Sequence, residues 1–169
     1  MIWRCKGCGM LTVGMNPPED CAVCETKPKE FVKVDQIESV QGTETEKNLR
    51  KAFSGESQAN RRYLLFTQMA RLEGNKEAEE MFLNFSYEET WHALSHLLYL
   101  LGGATKTLDN LRESIEGETY ESEKMYKGFS RKAKEEGLDN IALIFDWLSR
   151  VEGEHALYFK KLLDKMEQS

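Results

Sequence analysis

The sequence predicts a mainly α fold, a four-helix bundle, preceded by a small module that carries all the cysteines. Helical periodicity runs through four long segments from about residue 45 onward. The four cysteines lie in the first 24 residues and the three prolines in the first 28. About 35 residues cannot bury enough apolar surface to fold unaided, so this module is expected to need a cross-link or a bound ion. We therefore divide the chain into a module at 1–34, a polar linker at 35–45 and a bundle at 46–169.

The composition is typical of a folded, soluble protein, with 40% hydrophobic and 31% charged residues and a net charge of −6. An acidic balance argues against nucleic acid or an anionic membrane surface as the partner, because both attract basic patches. No apolar run is long enough to span a bilayer. Met1 leads within four residues to Cys5, without the apolar segment of a signal peptide, so we expect a cytoplasmic protein.

The expected secondary structure combines two short strands with four long helices. The strands are predicted at 2–4 and 31–34, and the helices at 45–73, 75–101, 110–136 and 138–167. Gly74 and Gly137 lie where the first and third helices should stop, since glycine readily takes the left-handed conformation that ends a helix.

The helical part is also an internal repeat. A shift of 63 residues aligns Tyr63 with Tyr126, Phe82 with Phe145, Glu89 with Glu152 and His92 with His155. Glu56 matches Glu118 at a shift of 62, so the third helix contains one extra residue before Tyr126. A π-bulge absorbs a single inserted residue in a helix, and such bulges are frequent at functional sites.

Each predicted helix has charged residues on the stripe that should be apolar. They are Glu56 in the first helix, Glu89 and His92 in the second, Glu118 with Glu121 in the third, and Glu152 and His155 in the fourth. Residues three apart share a helix face, so each Glu-x-x-His presents two ligands together. Five glutamates in a core without cations would repel one another and be forced to protonate. Two metal ions remove this penalty, in the arrangement of carboxylate-bridged dinuclear sites.

A single Glu-x-x-His on a helix usually lies on a solvated face, but its recurrence at the repeat spacing favours a dinuclear metal site. Oxygen donors with two imidazoles suit iron or manganese better than zinc. His96 follows His92 by one turn and aligns with Phe159, so we expect it to pack beside the ligands rather than bind metal. Tyr63 and Tyr126 either hydrogen-bond a ligand carboxylate or fill the core.

The cysteines form a second candidate metal site. Cys5-x-x-Cys8 and Cys21-x-x-Cys24, with twelve residues between the pairs, are typical of a tetrahedral four-thiolate site. Disulfides are disfavoured in the expected cytoplasmic location. The spacing does not separate zinc from iron. A neighbouring dinuclear redox site needs an electron source, which favours iron because zinc carries no electrons.

Four segments carry a resemblance to a known family. They are Gly55-Glu56-Ser57-Gln58-Ala59, Glu89-Thr90-Trp91-His92-Ala93, Glu116-Gly117-Glu118-Thr119-Tyr120-Glu121 and Glu152-Gly153-Glu154-His155. With the cysteine pairs, the chain resembles the rubrerythrins, in which a rubredoxin-like module accompanies a ferritin-like di-iron bundle. The N-terminal place of the module resembles the reverse rubrerythrin arrangement. Met10, Ala22 and Glu25 stand where the family usually has an aromatic residue, a proline and a glycine.

The resemblance implies an oxidoreductase, a non-haem peroxidase that reduces hydrogen peroxide to water. It places the di-iron ligands at Glu56, Glu89, His92, Glu118, Glu121, Glu152 and His155, with Tyr63 and Tyr126 bonded to ligand carboxylates. It also implies that one iron exchanges His92 for Glu121 on oxidation. Reverse rubrerythrins are linked to dioxygen reduction as well, which adds dioxygen as a second candidate substrate.

The resemblance further implies partners and a biological setting. The tetrathiolate iron would relay electrons from a nicotinamide-dependent reductase or a rubredoxin-type carrier, in defence against oxidative stress. A head-to-tail homodimer would let the module of one chain serve the bundle of the other. The connection at 102–110 reaches at most about 30 Å, whereas a 27-residue helix is about 40 Å long. We therefore hypothesise that the first two helices pair with the last two of a partner chain.

Two other functions compete with this prediction. The first is iron handling, as a ferroxidase or a storage protein, which does not require the cysteine module. The second is a non-enzymatic scaffold with structural zinc among the cysteines, which leaves five core glutamates unexplained.

Overall fold

The structure, a computed structural model, describes residues 1–168. The N-terminal elements are β1 (Ile2–Cys5), β2 (Leu11–Val13), a 3-10 turn (Pro28–Glu30) and β3 (Phe31–Val34). The helices are α1 (Glu44–Leu72), α2 (Lys76–Leu101), α3 (Thr107–Tyr120), a π turn (Glu121–Met125), α4 (Tyr126–Glu135) and α5 (Asp139–Glu167). The mainly α fold with a small N-terminal strand module is confirmed. The chain forms two compact units, residues 1–104 and the part from 105 onward.

The module is a three-stranded antiparallel sheet in the order β2–β1–β3. Its core consists of Cys5, Met10, Cys21 and Phe31, all less than a tenth exposed, with Trp3 packed against them. The two predicted strands are confirmed. The third strand, β2, was not predicted; its three residues pair with β1.

The first helical hairpin begins and ends at local capping signals. Thr43 caps α1 by accepting a hydrogen bond from the Glu46 amide, and the Glu46 carboxylate accepts one from the Gly42 amide at 2.7 Å. This exchange resembles a capping box. Gly74 has a φ of +74°, as expected of a residue that ends a helix, and Asn75 caps the start of α2. The predicted stop at Gly74 is therefore confirmed.

The second hairpin repeats the first, with one helix interrupted by the π turn. Gly137 ends α4 with a φ of +74°, as predicted. The π turn at Glu121–Met125 lies between Glu118 and Tyr126, where the extra residue was placed. The Ser122 hydroxyl in this turn donates to the Ser149 carbonyl at 2.6 Å, and the Ser149 hydroxyl donates to the Ser122 carbonyl at 2.8 Å. This reciprocal pair ties the turn to α5.

An aromatic trio in each hairpin shows that the repeat extends to packing. Tyr63, Phe66 and Phe82 have ring centroids 5.4 to 6.5 Å apart. Their counterparts Tyr126, Phe129 and Phe145 are 5.5 to 6.2 Å apart. These distances suit tilted and edge-to-face contacts, which stabilise the packing of the two helices in each hairpin.

Several large apolar side chains of the two hairpins are exposed. Phe85, Phe129, Ile141 and Leu162 are each between 44% and 47% exposed, and Trp147 is 62% exposed. Two helices can bury only the faces that they turn toward each other, so the other apolar side chains of a hairpin need a further surface. Over residues 1–168, no helix is both long and apolar enough to cross a membrane.

Candidate metal centres

The four cysteines form a compact cluster at the end of the module. Their sulfur atoms all lie within 4.8 Å of one another, and none is in a disulfide. Two matching turns bring them together, since the Gly9 amide donates to the Cys5 carbonyl and the Glu25 amide donates to the Cys21 carbonyl, both at 2.9 Å. Four sulfur donors at this spacing fit one tetrahedral iron or zinc ion.

The thiols of this cluster have strongly perturbed pKa values. Burial raises the pKa of Cys8 to about 12 and also raises that of Cys21. Burial opposes ionisation of Cys5 too, but hydrogen bonds with Thr26 and with backbone amides outweigh it and lower its pKa to about 6. The Thr26 hydroxyl also lowers the pKa of Cys24. Full ionisation of the set therefore requires a cation to compensate the charge.

One of the two matching turns is strained. Gly9 has a φ of +81° in the first turn, and Glu25 has a φ of +56° in the second. The left-handed conformation costs a residue with a Cβ about 1–2 kcal/mol, whereas glycine takes it freely. We therefore expect Glu25→Gly to raise the stability of the metal-loaded module by about 1 kcal/mol. Gly9→Ala should lower it, and both changes are measured by thermal unfolding; a destabilised Glu25→Gly variant would contradict the strain.

The first carboxylate cluster is formed by Glu56 of α1 and by Glu89 and His92 of α2. One ligand atom from each lies within 4.8 Å of the others, and the three residues are half-buried. The His92 Nδ1 lies 3.0 Å from a Glu89 carboxylate oxygen. Asn60 holds the two helices together beside this cluster, because its amide donates to the Ser86 carbonyl at 2.6 Å and to the Thr90 hydroxyl at 2.9 Å. Sequence reasoning missed Asn60, although it is a polar residue one turn after Glu56.

The second cluster repeats the first in the other hairpin. Glu118 of α3 meets Glu152 and His155 of α5, again with one ligand atom from each within 4.8 Å. The His155 Nδ1 lies 2.7 Å from Glu152 and 3.6 Å from Glu118. Six of the seven predicted ligands therefore lie in two matching groups of three. Each group offers two carboxylates and an imidazole to a cation, which fits iron or manganese.

The close approach of the carboxyl groups in both clusters shifts their pKa values. The hydrogen bond with Glu89, together with burial, raises the pKa of Glu56. Burial opposes ionisation of Glu89, but hydrogen bonds with Glu56 and His92 outweigh it and lower its pKa. Burial and the charge of Glu152 raise the pKa of Glu118. A cation at each cluster would remove this repulsion, as the sequence predicted.

The remaining candidate residues are Glu121, Tyr63, Tyr126 and His96. Glu121 is the first residue of the π turn and is half-buried, and its charge adds to burial in raising the pKa of Tyr126. Tyr63 and Tyr126 each pack in an aromatic trio. His96 lies one turn beyond His92, outside the group of three, and burial lowers its pKa, so its imidazole favours the neutral form.

Metal binding to the carboxylate clusters is expected to release protons. Glu56 and Glu118 keep their protons above the ordinary glutamate pKa of 4.5, and a cation must displace them. The apparent affinity for iron(II) or manganese(II) should therefore rise as the pH increases from 4.5 until both groups are ionised. In the metal-free chain, the same shifts stabilise the fold fully below pH 4.5, and this contribution is lost as the pH rises through the raised pKa values.

Titration of metal into weakly buffered protein, with the released protons counted, tests this expectation. Glu56→Gln should release fewer protons than the parent chain at a pH just above 4.5. Glu116→Gln, at an exposed position, is the control and should change nothing. An unchanged release from Glu56→Gln would contradict the assignment.

Comparison with known families agrees with this geometry. The rubrerythrin family model matches residues 47–106 and 109–169, and the model of the rubrerythrin rubredoxin-like domain matches residues 3–32. The chain belongs to the rubrerythrin family. As a member of this family, it is a non-haem di-iron protein and an oxidoreductase. The four-cysteine site and the carboxylate–histidine clusters support iron as the cofactor, and four thiolates also accept zinc.

Several curated rubrerythrins are similar to the chain. A rubrerythrin of Porphyromonas gingivalis is 34% identical over 147 residues, which cover 80% of this chain and 74% of the relative. A rubrerythrin of Nitratidesulfovibrio vulgaris is 34% identical over 140 residues, covering 76% and 72%. Reverse rubrerythrin-1 of Clostridium acetobutylicum is 28% identical over 177 aligned positions, covering 96% and 97%.

Proposed function

We propose that the protein is a peroxidase that reduces hydrogen peroxide to water, with dioxygen as a second candidate substrate and the tetrathiolate iron as the electron relay. The observation that carries the proposal is the combination of donor sets in one chain. A four-thiolate cluster accompanies two matching groups of two glutamates and a histidine. An iron-storage protein or a ferroxidase needs only the second kind of site.

The proposed ligands of the dinuclear centre are Glu56, Glu89, His92, Glu118, Glu121, Glu152 and His155. Iron bound there would supply two electrons, one from each ion, and Lewis acidity for cleavage of the O–O bond. The two Glu–His pairs hold each imidazole against its carboxylate, at 3.0 Å in α2 and 2.7 Å in α5. These contacts keep each imidazole beside a carboxylate, so both donors are already on one side of the helix.

The proposed reaction also consumes protons. Reduction of one peroxide to two waters takes up two electrons and two protons. The ligand carboxylates lose their protons when a cation binds, so in the iron-loaded centre they relay protons from solvent rather than store them. We propose that the ligand carboxylates pass protons to the departing oxygen atoms, and that Tyr63 and Tyr126 bond to these carboxylates and fix their orientation.

Glu121 is proposed as the ligand that makes the two irons unequal. It lies at the start of the π turn, and the residue three after Glu56 in the other half is Ala59. The second half therefore has a carboxylate for which the first half has no counterpart. In this proposal one iron would be held by His92 in the reduced centre and by Glu121 in the oxidised centre.

The reverse arrangement, a module at 1–34, a linker at 35–45 and a bundle at 46–169, is proposed for this chain. The alignment with reverse rubrerythrin-1 covers nearly all of both proteins, which supports the same domain order. The alignments with ordinary rubrerythrins leave out about a fifth of this chain or more. We propose a cytoplasmic location, with a reductase or a rubredoxin-type carrier as the electron donor.

A homodimer with exchanged helices is proposed as the working form. Only residues 102–106 separate α2 from α3, and five residues reach at most about 20 Å. The 26-residue α2 is about 39 Å long. Exposed side chains such as Phe129 and Trp147 also need an apolar partner surface. Light scattering should give twice the 19.5 kDa mass of one chain, and a monomer would overturn this proposal.

Single-turnover oxidation tests the proposed activity. The iron-loaded protein is reduced without oxygen, mixed with one equivalent of peroxide, and followed by the visible absorption of the oxidised tetrathiolate iron. A peroxidase should regain this colour rapidly. A colour that returns slowly, together with oxidation of many added iron(II) ions per chain, would favour iron handling instead.

A further inference from the structure

The cysteine module docks on α2 through two hydrogen bonds far apart in the sequence. The Leu11 amide, on the outer edge of β2, donates to the Ser95 hydroxyl at 3.0 Å, and both residues are less than a tenth exposed. The Tyr99 hydroxyl donates to the Gly9 carbonyl at 3.0 Å. Gly9 directly follows Cys8, so this bond holds the cysteine turn itself against the helix.

With the module docked on α2, a cysteine of the four-thiolate cluster and a histidine of the first carboxylate cluster line the same cavity. The cavity has a volume of about 320 Å³, and both Cys8 and His92 line it. Ser95, His96 and Tyr99 line the same cavity from α2. The cavity therefore connects the four-thiolate cluster with the Glu56–Glu89–His92 cluster inside the first unit.

The internal repeat shows that these α2 residues are special to the docking face. At a shift of 63, Ser95, His96 and Tyr99 align with Tyr158, Phe159 and Leu162 of α5. Glu89, His92 and Ala93 keep their identity in the same alignment. Both halves of the repeat therefore keep the metal-binding residues, and they differ at the α2 positions on which the module docks.

We propose that Ser95 and Tyr99 are positioning residues that hold Cys8 beside α2, so that electrons pass from the four-thiolate site to the His92 side of the dinuclear centre. The inference rests on the proposed function. Each transfer oxidises the four-thiolate iron by one electron and reduces the dinuclear centre by one. Two transfers restore the two electrons that peroxide removed, and an external reductase returns them to the module.

Tyr99→Phe tests the docking without an activity assay. This variant removes one hydroxyl and leaves both Leu11 and Ser95 unchanged. A neutral hydrogen bond contributes a factor of about 2 to 12 to an equilibrium, so amide hydrogen exchange at Leu11 should speed up by a factor in this range. Tyr87→Phe is the matched control, because Tyr87 lies on the same helix and is 62% exposed. Exchange at Leu11 should not change in the control.

Electron delivery is measured separately from the peroxide reaction. In Ser95→Ala/Tyr99→Phe, the colour of the oxidised module should return about 5 to 150 times more slowly after one equivalent of peroxide, if the two bonds act independently. The rate at which the chemically reduced dinuclear centre consumes peroxide should not change, nor should the reduction potential of the module. A general loss of structure would alter all three quantities.

The outcomes separate this inference from the proposed function. If the parent chain consumes peroxide but the double variant regains its colour at the parent rate, the docking role is wrong. Unchanged Leu11 exchange in Tyr99→Phe would also overturn it. If the parent chain itself does not react with peroxide, the proposed function fails, whereas the exchange experiment still decides whether Tyr99 holds the module on α2.

Discussion

Glu118→Gln is expected to remove iron from the carboxylate clusters and, at neutral pH, to make the metal-free chain more stable. Burial and the charge of Glu152 disfavour the ionised form of Glu118. A glutamine of the same shape carries no charge, so it relieves this repulsion. A bound cation also needs this negative charge. Losing a residue that only supports a ligand weakens metal binding by about 10- to 100-fold, so losing a direct ligand should weaken iron binding by more than about 100-fold.

Iron content per chain and thermal unfolding of the metal-free protein measure the two effects. Glu116→Gln is the matched control, since this exposed glutamate lies two residues away on the same helix. It should alter neither quantity. A Glu118→Gln variant that keeps both carboxylate-bound irons would exclude Glu118 from the ligand set. A less stable metal-free variant would show that the carboxyl group contributes more through its hydrogen bonding than it costs through its charge.

Cys8→Ala is expected to stop the supply of electrons while leaving the peroxide reaction intact. Cys8 is one of four sulfur donors within 4.8 Å of one another, and its loss leaves three. Peroxide turnover driven by a reductase should fall by more than about 100-fold. Peroxide consumption by the chemically reduced dinuclear centre should stay near the parent rate, because the carboxylate clusters are unchanged.

Lys6→Ala is the control for this experiment, because Lys6 is an exposed residue between Cys5 and Cys8. A second control is the parent chain with zinc in the four-cysteine site. Zinc should preserve the folded module but carry no electrons, so turnover should fall as far as in Cys8→Ala. Turnover unaffected by either change would show that electrons enter the dinuclear centre by another route.

Much of the helical part could be predicted from the sequence because its signals are local. The helix stops at Gly74 and Gly137 need only glycine in the left-handed conformation. The π turn was predictable from the spacing of the two halves of the repeat. Glu56 and its counterpart are 62 residues apart, whereas Tyr63 and its counterpart are 63 residues apart. The same repeat spacing identified both groups of two glutamates and a histidine, which the structure brings together. Their roles as ligands stay a prediction.

The features that sequence reasoning missed depend on contacts between distant segments. The Leu11–Ser95 and Gly9–Tyr99 bonds join residues 84 and 90 positions apart, and no periodicity reports such pairs. β2 is stabilised by pairing with β1 and by docking on α2 rather than by its own three residues. The exposure of Phe129 and Ile141 was also missed. An apolar stripe indicates that a helix face is covered, but it does not indicate whether the same chain or another one covers it.

The π turn also bears on the history of the chain. An ancestor made of two identical halves would have offered two equivalent metal positions. One residue inserted into the second half would rotate everything after it by about 100° in an ordinary helix. The turn absorbs that rotation, because Tyr126, Phe129 and Phe145 still pack as Tyr63, Phe66 and Phe82 do. The extra residue of the second half is therefore accommodated locally, without disturbing the aromatic packing that the two halves share.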